Sequence, residues 1–516
     1  MEKYYVTTAI DYVNASPHIG HAYEKIAADV LARYHRMQGK EVFFLTGVDE
    51  HGSKVEKSAQ AAGKTPIEFC NETSAKFEHA WRNLDISFDR FIRTTEESHA
   101  LVVQEVFRRL KNKGDIYKFT YAGLYCEGCE DFVRERDLDD KGNCPNHKVP
   151  PKVLKEDNYF FRLTKYKPII KKWLEDSPDS VQPDGRRREV LNMLDDPELG
   201  DFSVSRARSS LSWGIPVPDD PDQVIYVWID ALSNYITGVG FNSDEEMFAK
   251  FWPANVHLVG KDITKFHCIY WPAMLLGADL AVPNQVFAHG FITVEGQKIS
   301  KSLGNVIDPN ALVEQYESDA VRFYLMAGTP FDQDGDFSRK QLIELCNAAL
   351  ANNIGNLLNR TMKLVSDNCG GKVPDENPEH ELREVANTIH VRIAELMGRK
   401  EFAKTIDAIL ALSDQANKYF ADEKPWALFK EGKTKEGRCV LFTVLEVLRR
   451  VAMELYPFTP KMAQKMWYQL GYDDEVGKIG DAKLADGFYD LIPAGQILRP
   501  EGPVFKRIED PDAPKK

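Results

Sequence analysis

The first 115 residues of the chain alternate short apolar runs with longer segments of helical periodicity. The apolar runs have the length of strands, and the longer segments repeat apolar residues every three to four positions. A threonine before a proline marks the start of one helix. The predicted order is strand Tyr4–Ile10, helix Gly20–Met37, strand Glu41–Gly47, a helix from Thr65-Pro66, strand Arg90–Thr95 and a helix ending near Gly114. This order predicts an α/β fold, a Rossmann-like, doubly wound parallel sheet.

The rest of the chain divides by its changes of pattern. Residues 116–215 break the alternation and look inserted, and the α/β pattern resumes afterwards. From about residue 340 only helical patterns follow, which predicts an all-α helical bundle. We therefore predict six parts: 1–115 and 216–285 as the two halves of the sheet, 116–215 as an insertion, 286–340 as a linking region, 341–475 as the bundle, and 476–516 as a loop-rich tail.

Composition places the chain among globular proteins. Hydrophobic residues make up 43% and charged residues 28%, and no run of about 18 apolar residues could span a membrane. The N-terminus runs directly into a predicted strand without a leader pattern, so we expect a cytoplasmic location. The net charge of −13 argues against nucleic-acid binding driven by bulk charge, although basic faces can sit on an acidic body.

Two histidines surround Gly20 where the first strand turns into the first helix. The segment is Pro17-His18-Ile19-Gly20-His21. Unpaired N–H groups at a helix start attract anions, imidazoles can donate to phosphate oxygens, and glycine allows a nucleotide to approach the backbone. A pair of surface histidines that caps the helix is the alternative interpretation.

A second segment carries two lysines past the middle of the chain. Lys298-Ile299-Ser300-Lys301-Ser302 follows a turn that begins at Glu295-Gly296. Lysines on a loop can fold over a triphosphate and stabilise the charge of a departing pyrophosphate. A solvated lysine pair is the alternative.

The ordered pair of segments resembles the class I aminoacyl-tRNA synthetases, and further segments narrow the resemblance to the methionyl-tRNA synthetase family. It extends over nearly the whole chain. The segments are Ala9-Ile10-Asp11-Tyr12-Val13-Asn14, Leu45-Thr46-Gly47-Val48-Asp49-Glu50-His51-Gly52, Trp213-Gly214-Ile215-Pro216-Val217-Pro218, Val227-Trp228-Ile229-Asp230-Ala231-Leu232, Gly260-Lys261-Asp262-Ile263 and Lys424-Pro425-Trp426. Relatives specific for isoleucine, valine and leucine carry a far larger editing insertion than residues 116–215 provide.

The resemblance implies a methionine–tRNA ligase that uses ATP with Mg²⁺, forms methionyl-adenylate and transfers methionine to tRNA(Met). His18, His21, Lys298 and Lys301 would be catalytic and, with Gly20 and Ser300, would bind ATP. The implied methionine pocket consists of Ile10, Tyr12, Asp49, Trp228, Ala231, Leu232, Tyr235, Ile263 and His267, where Asp49 holds the α-ammonium group. The bundle would read the anticodon through Trp426 and Asn347. Without the matching motifs, the aromatic residues of this set would be ordinary core residues, and Trp426 could belong to the bundle core.

Three cysteines and a histidine form two close pairs in residues 116–215. Two residues separate Cys126 from Cys129 and likewise Cys144 from His147. Four such ligands in two pairs are typical of a structural, tetrahedral Zn²⁺ site, so we predict one zinc knuckle per chain. A redox Cys-x-x-Cys motif is the alternative, but it would leave Cys144 and His147 unexplained.

Two other functions compete with the ligase. A nucleotidyltransferase could share the histidine segment without using RNA, but the helical bundle would then have no task. A non-catalytic RNA-binding protein on the same scaffold is disfavoured by the intact histidines and lysines. Since the chain ends before a further dimerising domain could follow, we expect a monomer.

Overall fold

The computed structural model describes residues 2–126, 131–133, 135–145, 148–299, 304–478 and 492–509. The first part of the chain forms the predicted alternation of strands and helices. Its elements are β1 Lys3–Thr8, β2 Asp11–Tyr12, α1 Ile19–Met37, β3 Glu41–Asp49, α2 Ser53–Ala61, α3 Pro66–Asn83, β4 Arg90–Arg93 and α4 Glu97–Asn112. Two of them, the short strand β2 and the helix α2, were not predicted from the sequence. α3 begins where Thr65 and Pro66 predict it, because the Thr65 side chain and the Glu68 side chain cap each other's backbone N–H groups.

The stretch from 116 to 225 forms hairpins and two helices. Its elements are β5 Ile116–Cys126, β6 Asp131–Val133, β7 Lys152–Phe161, α5 Leu163–Asp176, β8 Val181–Gln182, α6 Asp184–Asp195, β9 Phe202–Ser203, β10 Ser205–Ala207, β11 Pro216–Val217 and β12 Asp220–Ile225. Strands β5, β6, β7 and β9 make an antiparallel four-stranded sheet, and β10, β12 and β11 make a three-stranded one.

The α/β pattern then resumes and leads into the lysine-containing segment. The elements are α7 Val227–Thr237, α8 Glu245–Phe251, β13 Val256–Gly260, α9 Trp271–Gly277, β14 Val286–His289, β15 Ile292–Val294, β16 Gln297–Lys298, α10 Pro309–Tyr316, α11 Ser318–Ala327 and β17 Gly335–Phe337. β15 and β16 form a hairpin through Glu295 and Gly296, which have φ values of 50° and 72°.

The main sheet has seven strands in the order β2-β3-β1-β13-β14-β8, with β4 on the other edge of β3. All of its pairings are parallel. The predicted doubly wound sheet is confirmed. Two strands come from parts of the sequence outside the predicted sheet halves. β14 begins the predicted linking region and pairs with β13. β8 lies in the stretch that looks inserted, yet Val181 pairs with Val286 at the sheet edge.

Hydrophobic residues cover both faces of this sheet. Along β1, Tyr4 and Val6 belong to one buried cluster, whereas Tyr5 belongs to another on the opposite face. This alternation follows from the two-residue period of a strand. The first cluster continues through α1 into the C-terminal helices, so the nucleotide fold and the helical domain share a core.

The C-terminal part is helical, as predicted. Its helices are α12 Arg339–Cys346, α13 Asn356–Cys369, α14 Glu381–Gly398, α15 Phe402–Glu423, α16 Pro425–Lys430, α17 Thr434–Leu455 and α18 Pro460–Gln469. A π-helical segment, Asn347–Gly355, joins α12 to α13. None of the helices in the part of the chain that the structure describes is long and apolar enough to cross a bilayer.

A buried arginine ties this helical domain to α1. The Arg322 guanidinium is fully buried and contacts the Asp29 carboxylate of α1 at 2.7 Å. It also donates to the carbonyl groups of Pro457 at 2.7 Å and Phe458 at 3.1 Å, in the turn before α18. A buried guanidinium needs such a full set of acceptors, and here the set fixes the helical domain against the first helix.

Candidate active site

The N-terminal end of α1 presents two histidine side chains. Nδ1 of His18, the N-cap residue, accepts the backbone N–H of Gly20 at 3.1 Å, and Nδ1 of His21 accepts the backbone N–H of His18 at 3.2 Å. In a neutral ring, the proton then sits on Nε2, which is left to donate. The rings stack 3.7 Å apart, and burial lowers the pKa of each histidine to about 3. The helix thus starts with two neutral imidazole donors.

The lysine-containing segment lies against this helix start. A β-carbon on Gly20 would stand 3.0 Å from Cε1 of His18 and 3.6 Å from Cδ1 of Ile299. The backbone N–H of Ile19 donates to the carbonyl group of Ile307 at 3.1 Å. Ile299 and Ile307, which precede and follow Lys301 in the sequence, therefore both lie beside the start of α1.

The predicted lysines are only partly described. The backbone of Lys298 pairs with Thr293 in the β15–β16 hairpin, but its side chain lies outside the described part of the structure. Ser300 and Lys301 also lie outside the described residues. Their predicted roles stay predictions.

Tyr12 and Asp49 lie side by side at the carboxyl ends of neighbouring strands. They are register partners between β2 and β3, and the backbone N–H of Val13 donates to the Asp49 carbonyl group at 3.3 Å. Asp49 is buried, and the ammonium group of Lys54 lies 4.8 Å from the centre of the Tyr12 ring. A carboxylate at this edge of a parallel sheet is placed where such folds bind ligands.

Helix α7 carries four of the predicted pocket residues on one face, since they follow the spacing of helical turns. They are Trp228, Ala231, Leu232 and Tyr235. The Trp228 indole stacks on Phe266 at 3.5 Å, with the rings 7° from parallel. Ile10 and Ile263 pack against the same buried cluster that contains Leu232 and Tyr235. This face of α7 therefore packs with the segments that contain Ile10 and Ile263.

His267 closes the polar end of this group. Its Nδ1 lies 3.0 Å from the Ile263 carbonyl oxygen, which can only accept, so that nitrogen donates. Nε2 then accepts the Tyr235 hydroxyl proton at 2.7 Å. Burial lowers the pKa of His267 to about 4, so the ring is neutral near pH 7. The hydroxyl of Tyr5 donates to the Tyr235 carbonyl group at 2.6 Å and fixes the far side.

Comparison with known proteins decides the family. A family model described as "tRNA synthetases class I (M)" matches residues 4–152 and 146–362. A second model, the anticodon binding domain of methionyl tRNA ligase, matches residues 370–515. The chain belongs to the methionyl-tRNA synthetase family. As a member of this family it is a methionine–tRNA ligase, as the sequence predicts.

Individual relatives agree along nearly the whole chain. The methionine–tRNA ligase of Thermotoga maritima is 44% identical over 99% of this chain and 81% of the relative. That of Synechocystis sp. is 42% identical over 98% of both chains. The solved structure of Mycobacterium tuberculosis methionyl-tRNA synthetase in complex with methionyl-adenylate is 39% identical, covers 98% of this chain and 100% of its own, and superposes with a TM-score of 0.93.

A buried carboxylate of this synthetase has no role in the sequence prediction. Asp230, on α7, is fully buried and lies 2.7 Å from Nδ1 of His51 and 2.9 Å from Nε2 of His99. Burial alone would raise the pKa of Asp230, but the two histidines outweigh it and lower that pKa. The pair with His51 links α7 to the segment directly after Asp49. An acidic residue that is buried in an apolar helix needs such partners. The aspartate within the apolar run Val227–Leu232 is therefore the sequence feature that could have indicated this pair.

The predicted zinc ligands are described in part. Cys126, at the end of β5, and Cys144 are both buried, with exposures of 1% each. Cys129 and His147 lie outside the described residues. Within the described residues no group of three or more possible metal ligands comes together, and half of the predicted set lies outside those residues.

Trp426 lies on the surface of the synthetase's helical domain. It is 40% exposed in the first turn of α16, which argues against a core role. The Arg360 guanidinium lies 5.5 Å from its ring centre and 4.8 Å from that of Phe420. Arg360 is a candidate RNA-contacting residue that the sequence prediction missed, because only packing places α13 beside α16.

Asn347 has a different environment from the one its predicted role needs. It is 8% exposed, donates from Nδ2 to the Ile508 carbonyl group at 2.9 Å, and accepts the Ile508 backbone N–H at 2.8 Å. Its amide therefore holds the C-terminal segment 492–509 against the helical domain. Its contact with an anticodon stays a prediction, and the tail would have to leave before Asn347 could make it.

Proposed function

We propose that ATP binds at the start of α1, with its phosphates between the histidines and the lysine-containing segment. His18 and His21 donate from Nε2, Gly20 gives room for the nucleotide, and Lys298, Ser300 and Lys301 cover the triphosphate. The observation that carries this proposal is the approach of Ile299 to Gly20, because it brings the two predicted phosphate-binding segments to one place. Mg²⁺ that arrives with ATP supplies further positive charge against the triphosphate.

We propose that methionine lies between the ends of β2 and β3 and the face of α7. Asp49 accepts the α-ammonium group, and the thioether contacts Tyr12 and Trp228, since sulfur gains from aromatic neighbours. Ala231, Leu232, Ile10 and Ile263 shape the apolar part, and the neutral Tyr235–His267 pair closes its end. A neutral pair suits an uncharged side chain, because a buried charge there would favour a charged ligand.

The reaction then proceeds in two displacements. A carboxylate oxygen of methionine forms a bond to the α-phosphorus of ATP while the bond from that phosphorus to pyrophosphate breaks. The oxygen of a terminal ribose hydroxyl of the tRNA next forms a bond to the methionyl carbonyl carbon, while the bond from that carbon to the AMP phosphate oxygen breaks. The hydroxyl proton passes to the departing AMP phosphate. The protein forms no covalent intermediate, so catalysis rests on positioning and charge. The histidines, held neutral by burial, act as hydrogen-bond donors and the lysines as fixed positive charges.

Each predicted part of the chain has its own role in this function. Residues 1–115 and 216–285, with the added strands β8 and β14, form the catalytic domain. The rest of 286–340 is the linking region with the lysines, 341–475 the anticodon-binding domain and 476–516 the tail. Trp426 stacks on an anticodon base, as aromatic side chains commonly do with unpaired RNA bases. The protein acts as a monomer in the cytoplasm.

In residues 116–215, Cys126, Cys129, Cys144 and His147 hold one structural Zn²⁺. The two described cysteines fit this role, because thiolates are preferred zinc ligands and both side chains are buried, Cys126 at the end of β5. The metal would stabilise the fold of the insertion. It takes no part in the chemical steps.

A glycine substitution tests the ATP site. Gly20→Ala places a methyl group 3.0 Å from the His18 ring, where the nucleotide is proposed to lie. We expect methionine-dependent ATP–pyrophosphate exchange to fall at least tenfold, with a raised KM for ATP. The melting temperature should change little, because Gly20 is only the second residue of α1 and the methyl group meets side chains alone, those of His18 and Ile299.

Gly185→Ala is the matched control. Gly185 also lies in a helix, α6, and a β-carbon there meets nothing within 4 Å. Normal exchange in Gly20→Ala would contradict the ATP site. Exchange with all twenty amino acids, run on the unsubstituted protein, should succeed with methionine alone.

A further inference from the structure

Four ionisable side chains form a row of buried contacts between the proposed substrate sites. They are Asp11 on β2, Glu24 and Lys25 on α1, and His289 at the end of β14. Each residue is buried, with an exposure between 1% and 7%. None of them is among the site residues that the sequence predicts. We call this group the buried charge chain.

Lys25 lies at the centre of the buried charge chain. Its ammonium group donates to Oδ1 of Asp11 at 2.7 Å, to Oε1 of Glu24 at 3.1 Å and to the Ala9 carbonyl group at 3.0 Å. An ammonium group has three N–H donors, so these three acceptors satisfy it. Burial would lower the pKa of Lys25, but the two carboxylates outweigh it and raise that pKa, so the lysine is charged.

His289 continues the chain on the other side of Glu24. Its Nε2 lies 2.9 Å from Oε2 of Glu24, and its Nδ1 lies 2.7 Å from the Gly290 carbonyl oxygen. Burial would raise the pKa of Glu24, but Lys25 and His289 outweigh it and lower that pKa, so the carboxylate is ionised and accepts. Both ring nitrogens of His289 therefore donate, which requires the charged ring. The four charges alternate in sign from Asp11 to His289.

The buried charge chain reaches each of the proposed substrate-binding segments. Asp11 directly precedes Tyr12 of the proposed methionine pocket, and the two residues form β2. Lys25 follows His21 by four residues and therefore lies about one turn further along the same side of α1. His289 ends β14 just before the β15–β16 hairpin, which leads into the lysine-containing segment. One set of contacts thus joins all three segments.

The cost of burying charge favours a role in geometry over a role in stability. Replacing a buried ion pair by apolar residues of similar volume is often neutral for stability. A buried ionic group can instead specify one arrangement of the elements that it joins. Adenylate formation depends on such an arrangement, because methionine and ATP are proposed to bind to different segments. A misplacement of about 1 Å between reacting groups can reduce a rate about 100-fold.

We propose that the buried charge chain is a positioning unit for adenylate formation. It holds the methionine-binding end of β2, the start of α1 and the hairpin before the lysines in one relative arrangement. Its members act through the neighbouring residues that contact the substrates. This inference rests on the proposed function, because it needs methionine beside β2 and ATP at the start of α1. Breaking the chain should slow the chemical step and leave the binding of each substrate nearly unchanged.

Removal of the central charge tests the proposal. Lys25→Met keeps an unbranched side chain but leaves the Asp11 carboxylate without its cation. In methionine-dependent ATP–pyrophosphate exchange we expect kcat to fall at least tenfold, while KM for ATP and KM for methionine each change less than about threefold. Asp11→Asn/Lys25→Met removes both partners. It should exchange at least about threefold faster than Lys25→Met, because no unpaired buried charge is left at this position.

Arg449→Met is the matched control. Arg449 and Glu446 form a buried ion pair within α17 at 3.1 Å, with side-chain exposures of 6% and 3%. Its loss should lower the melting temperature and leave kcat for exchange unchanged, because α17 carries none of the proposed contacts to ATP or methionine. Asp11→Asn keeps the shape of the side chain and is the variant to use if Lys25→Met does not fold. It should lower kcat at least about threefold with nearly constant KM values.

The outcomes distinguish positioning from a structural role. A normal kcat in Lys25→Met or in Asp11→Asn overturns the proposal, whatever the melting temperature. A double variant no faster than Lys25→Met overturns it too, because the two charges would then not act as a pair. A tenfold rise in one KM at normal kcat would mean that the chain shapes one binding site alone. Absence of methionine-dependent exchange in the unsubstituted protein would instead refute the proposed function.

Discussion

Replacing Trp426 by alanine tests whether the helical domain reads RNA through this residue. The side chain is 40% exposed, and a tryptophan has roughly 250 Å² to bury, so about 100 Å² of ring is open to a base. At ~25 cal/mol per Å², covering that area contributes about 2.5 kcal/mol. This lies in the range of ~1–3 kcal/mol for base stacking on aromatic residues. Trp426→Ala should therefore lower the kcat/KM of tRNA charging about 60-fold at ~1.4 kcal/mol per decade.

Trp467→Ala provides the matched control for a core role. Trp467 is 2% exposed, stacks on Tyr472 at 3.8 Å and donates from Nε1 to Asp474 at 2.9 Å. Its removal leaves a cavity that costs about 3–5 kcal/mol, which should lower the melting temperature. Trp426→Ala should keep the melting temperature and the pyrophosphate exchange rate near normal, since the proposed sites of both small substrates lie in another domain. Unchanged charging, or a charging loss that follows a fall in melting temperature as in Trp467→Ala, would refute the anticodon role.

Three further predictions concern the other sites. Lys301→Ala should slow adenylate formation by orders of magnitude in pre-steady-state kinetics while methionine affinity stays nearly constant, because the proposed role of the lysine is to meet pyrophosphate charge mainly in the transition state; unaltered exchange would remove it from the mechanism. Metal analysis should find one zinc per chain, absent from Cys126→Ser and Cys144→Ser, and protein purified without chelator that contains none would refute the knuckle. Burial would lower the pKa of His51, but the Asp230 carboxylate outweighs it and raises that pKa. The stability from this pair is complete below the ordinary histidine pKa of about 6.5 and fades as pH rises through the raised value. The melting-temperature deficit of Asp230→Asn should therefore be largest below pH 6.5 and shrink toward pH 9, and a deficit that does not change with pH would contradict the ion pair.

Local sequence was sufficient for elements whose stabilising contacts lie within a few residues. The start of α3 follows from Thr65, Pro66 and Glu68, which cap the helix among themselves. The histidine segment predicts the start of α1 for the same reason, since the His18 side chain accepts the backbone N–H of Gly20 and the His21 side chain accepts that of His18. Apolar runs likewise predict the alternation of strands and helices over the first 115 residues, because a strand that is buried on both faces is apolar along its whole length.

Only the tertiary structure decided which distant groups meet. Asp230 pairs with His51 across 179 positions, and no spacing rule connects them. β8 joins the edge of the main sheet although its neighbours in sequence belong to the insertion. The side-chain amide of Asn347 hydrogen-bonds to the backbone of Ile508 in the C-terminal segment, whereas the Arg360 guanidinium lies over the Trp426 ring. Capping and periodicity depend on neighbours along the chain, but partners of buried polar groups depend on how whole elements pack, which the sequence specifies only through all its contacts together.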